Sequence, residues 1–323
     1  MVRKTKKATL MIYTFGHLHP DTDSIVASIA FAEYLNQRGE PATACALGAP
    51  NPESEFVLDK FALPAPERLD TAAGKQVAIV DTFDPAQMPG DLHDATIKYA
   101  VDHHQLAGLK TPAPLWITAR PYGSTSTIIT ELFVAEKLKL SPNLAGALLC
   151  AILSDTVLFK SPTTTPADRA AAEMLASISG AEITELGMEM LRVKSDISNE
   201  TASALLNRDM KEFDINELKL AIAQIELIDA EMATPFIADL QTEMTNLMKA
   251  KKLDGVILLI TDIMKEGSYM LIAGSLDERI KKLFPSEIDK SSSGLTGGSR
   301  PLIWIPGLLS RKKQVIPVLT DHL

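Results

Sequence analysis

The sequence predicts an α/β protein: an N-terminal, mostly parallel sheet flanked by helices, followed by a smaller α+β C-terminal domain. Up to about residue 190, short apolar runs alternate with helical periodicity, as they do when helices cover a parallel sheet. Two of these runs, Gln76 to Asp81 and Ile97 to Asp102, end in Asp, which is typical of parallel strands that enter a site. The 323 residues are enough for two domains of ordinary size.

The elements of the first part follow from hydrophobic periodicity and from capping residues. Strands are expected at 9–15, 42–47, 76–81 and 97–102, and helices at 23–37, 124–138, 143–153 and 166–177. The last of these helices has Pro166 at an early position, where the missing N–H of proline is harmless.

Polar helical sequence over 182–207 contains the predicted linker, near Asp196 to Asn199, so we expect domains at 1–195 and 200–323. For the second domain, strands are expected at 218–225, 255–262, 269–273 and 315–319, and a long amphipathic helix at 229–251. The Ser/Gly-rich stretch Ser291 to Ser299 is typical of a mobile loop.

Composition excludes several classes of protein. The net charge of -9 argues against a general nucleic-acid or anionic-membrane binder, because counterion release needs a basic surface. No apolar run approaches the ~20 residues of a membrane span. The basic start and its short apolar run lack a small-residue cleavage site, so we interpret them as a tail and the first strand. With Cys45 and Cys150 as expected buried free thiols, these features predict a cytoplasmic protein.

The first predicted strand-to-helix turn carries an imidazole and two carboxylates. His17, Asp21 and Asp23 fall within seven residues, with Pro20 shaping the turn. A single Asp would be enough to cap the following helix. The surplus of ligand-type side chains therefore favours metal binding at this turn.

Further ligand-type residues follow other predicted elements. Asp81 and the tripeptide Asp102-His103-His104 end two strands, and Asp155 follows a helix, where a carboxylate opposes the helix dipole. Each residue alone has an ordinary structural explanation. Those explanations would all have to hold independently, so the set taken together indicates a metal centre.

Charge bookkeeping favours two divalent ions. Four negative charges would balance two ions, and they come from Asp21, Asp23, Asp81 and Asp155. Nitrogen ligands beside carboxylates favour Mn²⁺, Co²⁺ or Fe²⁺ over Mg²⁺, and the absence of thiolates in the set disfavours a structural zinc site. A metal pair of this kind hydrolyses phosphoryl bonds.

Five segments, in this order, resemble the DHH phosphoesterase superfamily, and specifically its manganese-dependent family II inorganic pyrophosphatases, whose C-terminal domain is called DHHA2. The resemblance covers nearly the whole chain, and the third segment is close to diagnostic of the pyrophosphatases. The segments are Gly16 to Ile25, Val101 to His104, Ser154 to Thr163, Lys211 to Phe213 and Ser310 to Gln314.

The resemblance implies a division of the metal ligands. One metal would take His17, Asp21 and Asp81, and the other would take Asp23, Asp81, His103 and Asp155, so that Asp81 bridges them. Asp102 would orient an imidazole from outside the ligand set. The expected cofactors are Mn²⁺ or Co²⁺ at both sites.

The resemblance also implies how the substrate is held. His104 would donate a hydrogen bond to a phosphate oxygen, and Lys211, Arg311 and Lys312 would clamp the phosphates from the second domain, in a site between the domains. Without the matching segments, the basic run 311–313 would be interpreted as a solvated charged surface.

These residues together predict hydrolysis of pyrophosphate to two phosphates. A water shared by the metals would lose its proton and attack phosphorus as hydroxide, and an additional Mg²⁺ would arrive with the substrate. The family resemblance further implies a homodimer joined through the sheet edge of the first domain.

Four residues in two segments depart from the family pattern. His19 stands where Asn is usual, and we interpret it as a solvated loop residue. After Asp81 the family often has His-Asn-Glu, whereas this chain has Thr82-Phe83-Asp84, which removes a possible contact to the ligands.

Three alternatives remain at this point. An exopolyphosphatase with the same two-domain plan would have the same residues. A DHH-type nuclease would end in Gly-Gly-Gly-His, whereas this chain has Gly297-Gly298-Ser299-Arg300. A non-catalytic scaffold would be expected to have lost ligands, and all of the candidate ligands are present.

Overall fold

A computed structural model describes residues 10–106, 108–284 and 302–323. The chain divides into two compact units, Met1–Lys194 and Ser195–Leu323. The expected beginning of the first strand at Thr9 and the expected loop from Ser291 to Ser299 lie outside the described residues. No helix in the described part of the chain is long and apolar enough to span a membrane.

The first unit is built on a six-stranded sheet in which every neighbouring pair is parallel, which confirms the predicted fold class. Its strands are β1 (Ile12–Phe15), β2 (Ala42–Ala46), β3 (Glu67–Arg68), β4 (Gln76–Val80), β5 (Thr96–Asp102) and β6 (Trp116–Ala119). Their order in the sheet is β3-β2-β1-β4-β5-β6.

The described part of this unit has six α-helices: α1 (Thr22–Gln37), α2 (Pro52–Lys60), α3 (Thr125–Ala135), α4 (Pro142–Asp155), α5 (Pro166–Ser179) and α6 (Ile183–Lys194). Helix α4 is apolar on every side, and it is buried because α1, α3, α5 and α6 all pack around it. Asp155 is the last residue of α4, at the carboxyl end of this buried helix.

The strand order reverses between β1 and β4, which are neighbours in the sheet. Open parallel sheets bind their ligands outside the carboxyl ends of the strands at such a point. The residues that follow β1 and β4 are the predicted site residues His17 and Asp81. The topology thus brings two sequence-distant candidate ligands to one place.

The second unit is built on a five-stranded mixed sheet with the order β11-β10-β9-β8-β7. Its strands are β7 (Met210–Ile215), β8 (Leu218–Leu227), β9 (Gly255–Asp262), β10 (Gly267–Gly274) and β11 (Ile303–Pro306). The pair β8–β9 is parallel, and the other three pairs are antiparallel.

Both faces of this second sheet are covered. Alternate residues of β9 enter different cores: Leu258 faces one core and Leu259 faces the other. The described helices are α7 (Ala202–Arg208), α8 (Ile237–Lys251), α9 (Asp277–Lys281) and α10 (Ile316–His322). Helices α7 and α8 pack on the first of these faces, and α9 and α10 pack on the second.

The expected last strand at 315–319 is wrong. The chain there forms a π-helical turn, Arg311–Val315, which continues into α10. Pro317 lies in the first turn of α10, where its fixed φ suits a helix and its missing N–H needs no partner. The long helix expected at 229–251 likewise begins later, at Ile237, after a 3₁₀ segment that contains Pro235.

Candidate metal centre

The turn after β1 presents the imidazole of His17 and the carboxylate of Asp21 to the same space, with 3.6 Å between His17 Nε2 and Asp21 Oδ1. Asp21 caps α1, because its Oδ1 accepts a hydrogen bond from the backbone N–H of Ser24 at 3.0 Å. The Ser24 hydroxyl accepts from the backbone N–H of His17. A Cβ at Gly16 would lie only 1.8 Å from that hydroxyl, so this tight turn requires glycine.

Asp81 lies at the middle of the site. It is 2% exposed, and its φ of 60° turns the chain sharply away from the end of β4. One carboxylate oxygen, Oδ2, lies 3.5 Å from His17 Nε2, and the other, Oδ1, lies 3.6 Å from His103 Nε2. A single buried carboxylate therefore faces two imidazoles on opposite sides.

The tautomer of His103 follows from its surroundings. Its Nδ1 lies 3.0 Å from the backbone carbonyl oxygen of Tyr122, which can only accept, so Nδ1 carries the proton and donates it. In the neutral form of the ring, Nε2 would therefore carry the lone pair, and it faces the carboxylates of Asp81 and Asp155, the latter at 3.9 Å. This arrangement is the one that a metal-ligating imidazole needs.

Asp23 is held by the amino-terminal end of α3. Its carboxylate accepts hydrogen bonds from the backbone N–H of Thr125 at 2.7 Å, from that of Ser126 at 3.0 Å and from the Ser126 hydroxyl at 2.5 Å. The Thr125 hydroxyl donates to Asp81 at 2.9 Å. A helix amino terminus favours negative charge, and these hydrogen bonds hold the two buried carboxylates in place.

Asp102 and His104 form a close pair. Asp102 Oδ1 accepts a hydrogen bond from the His104 backbone N–H at 3.0 Å, and it lies 2.8 Å from His104 Nδ1. The hydrogen bond that His104 donates to the Asp102 carboxylate raises the pKa of His104, whereas burial lowers it. The His104 side chain is 54% exposed, so its Nε2 edge is available to a ligand.

The electrostatics of the centre favour the binding of cations. Burial, and then the charges of Asp23 and Asp21, raise the pKa of Asp81 well above its usual value. Burial, followed by Asp23 and Asp81, does the same to the pKa of Asp155. Burial alone would raise the pKa of Asp21, but hydrogen bonds from His17 and Ser24 bring it below its usual value. The ionised forms of Asp81 and Asp155 are therefore disfavoured unless positive charge lies beside them.

The site residues fall into groups whose ligand atoms lie within 4.8 Å of one another. Two groups match the two predicted ligand sets in residue content, apart from the shared Asp81 in the second. They are His17, Asp21 and Asp81, and Asp23, His103 and Asp155. A mixed set of carboxylates and imidazoles, with Asp81 between the groups, fits a pair of divalent transition-metal ions.

A cavity of about 420 Å³ opens beside the first of these groups. His19 is exposed and lines it, together with Thr82, Phe83 and Asp84. All four residues that depart from the family pattern thus face the same space as His104. The departures therefore change the wall of this cavity.

The three predicted phosphate-binding residues lie in the second unit. Lys211, on β7, and Lys312, in the π-helical turn, are exposed. Arg311 is 7% exposed, and its Nη2 donates to both carboxylate oxygens of Asp209, at 2.9 and 3.1 Å. Its Nη1 donates to the backbone carbonyl oxygens of Asp209 and Ile222.

The residues that hydrogen-bond to the candidate metal ligands were not predicted from the sequence. Thr125 and Ser126 contact two carboxylates, and Asp168, fully buried, anchors the start of α3 by accepting from Gly123 N–H at 2.9 Å and Thr127 Oγ1 at 2.6 Å. The one available signal was the run of Ser and Thr over 124–127, which is longer than a helix cap needs.

Comparison with protein families agrees with this site. The N-terminal domain of the DHH family matches residues 11–152, and the DHHA2 domain matches residues 188–322. The fold and the site thus define a two-domain protein of the DHH type.

Full-length relatives narrow the class. The manganese-dependent inorganic pyrophosphatase of Methanocaldococcus jannaschii is 40% identical over 318 residues, which cover 96% of this chain and 98% of the relative. That of Bacillus subtilis is 36% identical over 314 residues, covering 97% and 98%. The chain therefore belongs to the manganese-dependent, or family II, inorganic pyrophosphatases.

Solved structures agree. A crystal structure from Methanococcus jannaschii, named for the family II inorganic pyrophosphatases, aligns with a TM-score of 0.59 and 39% identity, covering 97% of this chain and 99% of that one. An exopolyphosphatase-related protein from Bacteroides fragilis aligns with a TM-score of 0.52 and 13% identity, covering 98% and 92%, and so it shares the fold.

Proposed function

We propose that this protein hydrolyses inorganic pyrophosphate to two phosphates with the help of two divalent ions, Mn²⁺ or Co²⁺. The observation that carries the proposal is the position of Asp81, a buried carboxylate that faces His17 on one side and His103 on the other. The names of the full-length relatives support both the reaction and manganese.

The proposed ligands are the two sets expected from the sequence, and the close approach of their ligand atoms supports them. His17, Asp21 and Asp81 would hold one ion, and Asp23, Asp81, His103 and Asp155 would hold the other. The raised pKa values of Asp81 and Asp155 support this assignment, because two divalent ions would offset the charges that raise them. When bound by these residues, the ions would supply Lewis acidity, which favours attack of water on phosphorus near neutral pH.

The protein's own groups would orient the substrate. His104, held at Nδ1 by Asp102, would donate from its Nε2 edge to a phosphate oxygen. Since the Asp102 carboxylate raises the pKa of this imidazole, the protonated form persists to higher pH and can stabilise negative charge on the substrate. Asp102 therefore acts by positioning and charging His104.

We further propose that Lys211, Arg311 and Lys312 bind the phosphates and that an additional Mg²⁺ accompanies the substrate. Lys211 and Lys312 are exposed and can act as point charges. Within the described residues, both terminal nitrogens of Arg311 are engaged and Nε has no acceptor. Arg311 would therefore bind phosphate through Nε, or bidentately once it has left Asp209.

A homodimer and a cytoplasmic location complete the proposal. Strand β6 is at the edge of the first sheet and exposes Trp116 and Ile117, so a second copy could continue the sheet there. Both cysteines are free and buried, which suits a reducing compartment. Light scattering on the purified protein should give twice the mass of one chain, and an Ile117→Lys variant should give the single-chain mass.

The test of the reaction is phosphate release after metal exchange. The protein is stripped of metal, reloaded with Mn²⁺ or Co²⁺, supplied with Mg²⁺, and assayed on pyrophosphate, tripolyphosphate and longer polyphosphate. We expect release from pyrophosphate to be fastest. Faster release from the longer chains would instead make the protein an exopolyphosphatase.

A variant of one proposed ligand separates catalysis at this site from a contaminating activity. Asp23→Ala should lose one of the two bound ions and nearly all phosphate release. Glu40→Gln, a carboxylate change in the same unit near the amino-terminal ends of the strands, should keep both. Full activity of Asp23→Ala with a normal metal content would overturn the assignment.

A further inference from the structure

A buried glutamate lies outside the proposed ligand set but touches the segments that carry it. Glu53 is in the first turn of α2 and is 1% exposed. Its carboxylate accepts hydrogen bonds from the Thr22 hydroxyl at 2.9 Å and from the Ser154 hydroxyl at 3.0 and 2.9 Å. Lys194 Nζ lies 3.3 Å from Glu53 Oε2 and 3.2 Å from the Ser154 hydroxyl.

Both of these hydroxyl donors are direct neighbours of proposed metal ligands in the chain. Thr22 stands between Asp21 and Asp23 at the start of α1, and Ser154 immediately precedes Asp155 at the end of α4. One carboxylate thus connects the two segments from which three of the four proposed acidic ligands come.

A buried carboxylate is unfavourable unless it is paired with a cation and fully hydrogen-bonded. Glu53 meets both conditions, with a cation at Lys194 and hydroxyls from two different helices. An apolar residue at this position would fill the space, but it would leave the Thr22 and Ser154 hydroxyls without their acceptor.

We propose that Glu53, paired with Lys194, is a positioning residue that fixes the separation between Asp21 and Asp23 on α1 and Asp155 on α4, so that two divalent ions bind as a close pair. This inference rests on the proposed dinuclear centre. Partners outside the ligand set orient metal ligands in this way, and their removal typically weakens metal affinity by about 10- to 100-fold.

The contacts of Glu53 predict which of the two proposed metal sites each variant affects. Thr22 lies between one proposed ligand of each site, so loosening it affects both sites, whereas a change at Ser154 acts on the site that contains Asp155. Glu53→Gln should therefore weaken Mn²⁺ at both sites, by about 10-fold or more. Ser154→Ala should weaken one site and leave the other within about threefold of its original affinity.

The experiment measures Mn²⁺ binding to the full-length protein by equilibrium dialysis, and the exchange-coupled Mn–Mn signal by electron paramagnetic resonance. Glu53→Gln is expected to lower affinity and to reduce the coupled signal at saturating Mn²⁺. Glu53→Asp, which keeps the charge, should recover part of both. The matched control Glu40→Gln removes a carboxylate that accepts from the Tyr99 hydroxyl and pairs with Arg38 in the same unit, and it should change neither.

Each outcome is informative. If the unaltered protein does not bind two Mn²⁺, the proposed dinuclear centre fails, whatever the variants do. If it binds two and Glu53→Gln binds them equally tightly with an unchanged coupled signal, the positioning role is overturned. If Glu53→Gln does not fold, Ser154→Ala and Lys194→Met decide instead, and unchanged Mn²⁺ affinity in both of them would also overturn the role.

Discussion

The Oδ1 oxygen of Asp102 lies 2.8 Å from Nδ1 of His104, while the Oδ2 oxygen of the same buried carboxylate has no hydrogen-bond partner among the described residues. Among the described residues, the Asp102 side chain thus accepts hydrogen bonds from His104 alone, through the ring and the backbone N–H of that residue. The proposed role of His104 as a donor to the substrate depends on this pair.

Replacing Asp102 with Asn should lower the pKa of His104, because its hydrogen bond to that carboxylate is the largest cause of the raised value. The raised pKa stabilises the folded state below the ordinary histidine value of about 6.5, and this stabilisation is lost as pH rises through the folded pKa. The variant should therefore differ most in stability from the original below about pH 6.5. Histidine resonances of the metal-free protein, followed by NMR against pH, measure the shift, and an unchanged His104 titration would contradict the pairing.

The metal-free protein should become less stable as pH rises. Asp81 has a folded pKa well above its usual 3.8, so its favourable contribution is present below about 3.8 and is lost as pH rises through the folded value. Mn²⁺ should remove this dependence, since bound cations compensate the buried carboxylates. Thermal unfolding between about pH 4.5 and 8, in chelator and in Mn²⁺, gives the comparison.

Asp81→Asn provides the matching variant. It removes a carboxyl group that is 2% exposed and surrounded by carboxylates, so it should stabilise the metal-free protein by about 1 to 3 kcal/mol at pH values above the folded pKa of Asp81. The same change should abolish stabilisation by Mn²⁺. If Asp81→Asn is less stable than the original protein in chelator, the Asp81 carboxylate does not destabilise the metal-free protein.

Much of this candidate site was predictable from the sequence, because the proposed ligands lie at the ends of elements with strong sequence signals. The apolar runs before Asp81 and Asp102 predicted parallel strands, and parallel strands bring their carboxyl ends to one edge of the sheet. The position of Asp155 was also predictable, because α4 is a long apolar run with few alternatives to a buried helix.

The residues that hold the ligands were not predictable, because their roles depend on contacts far apart in sequence. Glu53 and Ser154 are 101 residues apart, and Ser126 and Asp23 are 103 apart, so no local pattern connects them. The run 315–319 misled for another reason: its β-branched residues favour a strand, but tertiary packing and Pro317 favour a helix. Strand β6 was missed because prolines flank it closely.

Removing the Ser126 hydroxyl should weaken Mn²⁺ binding. This hydroxyl donates to Asp23 at 2.5 Å, and without it Asp23 keeps only its two backbone donors from α3. Ser126→Ala should therefore lose about 10-fold in Mn²⁺ affinity. Thr130→Ala, which removes an equally buried hydroxyl one turn later that donates only to the Ser126 carbonyl oxygen, should bind Mn²⁺ normally. Equal losses in the two variants would mean that the effect comes from the helix and not from the ligand.

Lys312 should act on the substrate without affecting the metals. Lys312→Ala should raise KM and lower kcat for pyrophosphate, because the loss of one exposed cation weakens phosphate binding. Its Mn²⁺ content and Tm should stay unchanged. Lys313→Ala, an equally charged change at the next residue, is the control. Similar kinetic losses in both variants would point to a general electrostatic field in place of a specific contact.

Arg311 should behave differently from Lys312, because its guanidinium is buried and bonded to Asp209 and to the Ile222 carbonyl oxygen. Arg311→Ala should raise KM and also lower the free energy of unfolding by about 1 to 3 kcal/mol, since it removes a donor from the buried Ile222 carbonyl oxygen. Asp209→Asn separates the two roles. If Arg311 must leave Asp209 in order to bind phosphate bidentately, this variant should lower KM, because the competing carboxylate charge is gone. If KM rises instead, Asp209 holds Arg311 in its working position, and phosphate contacts only the Nε edge.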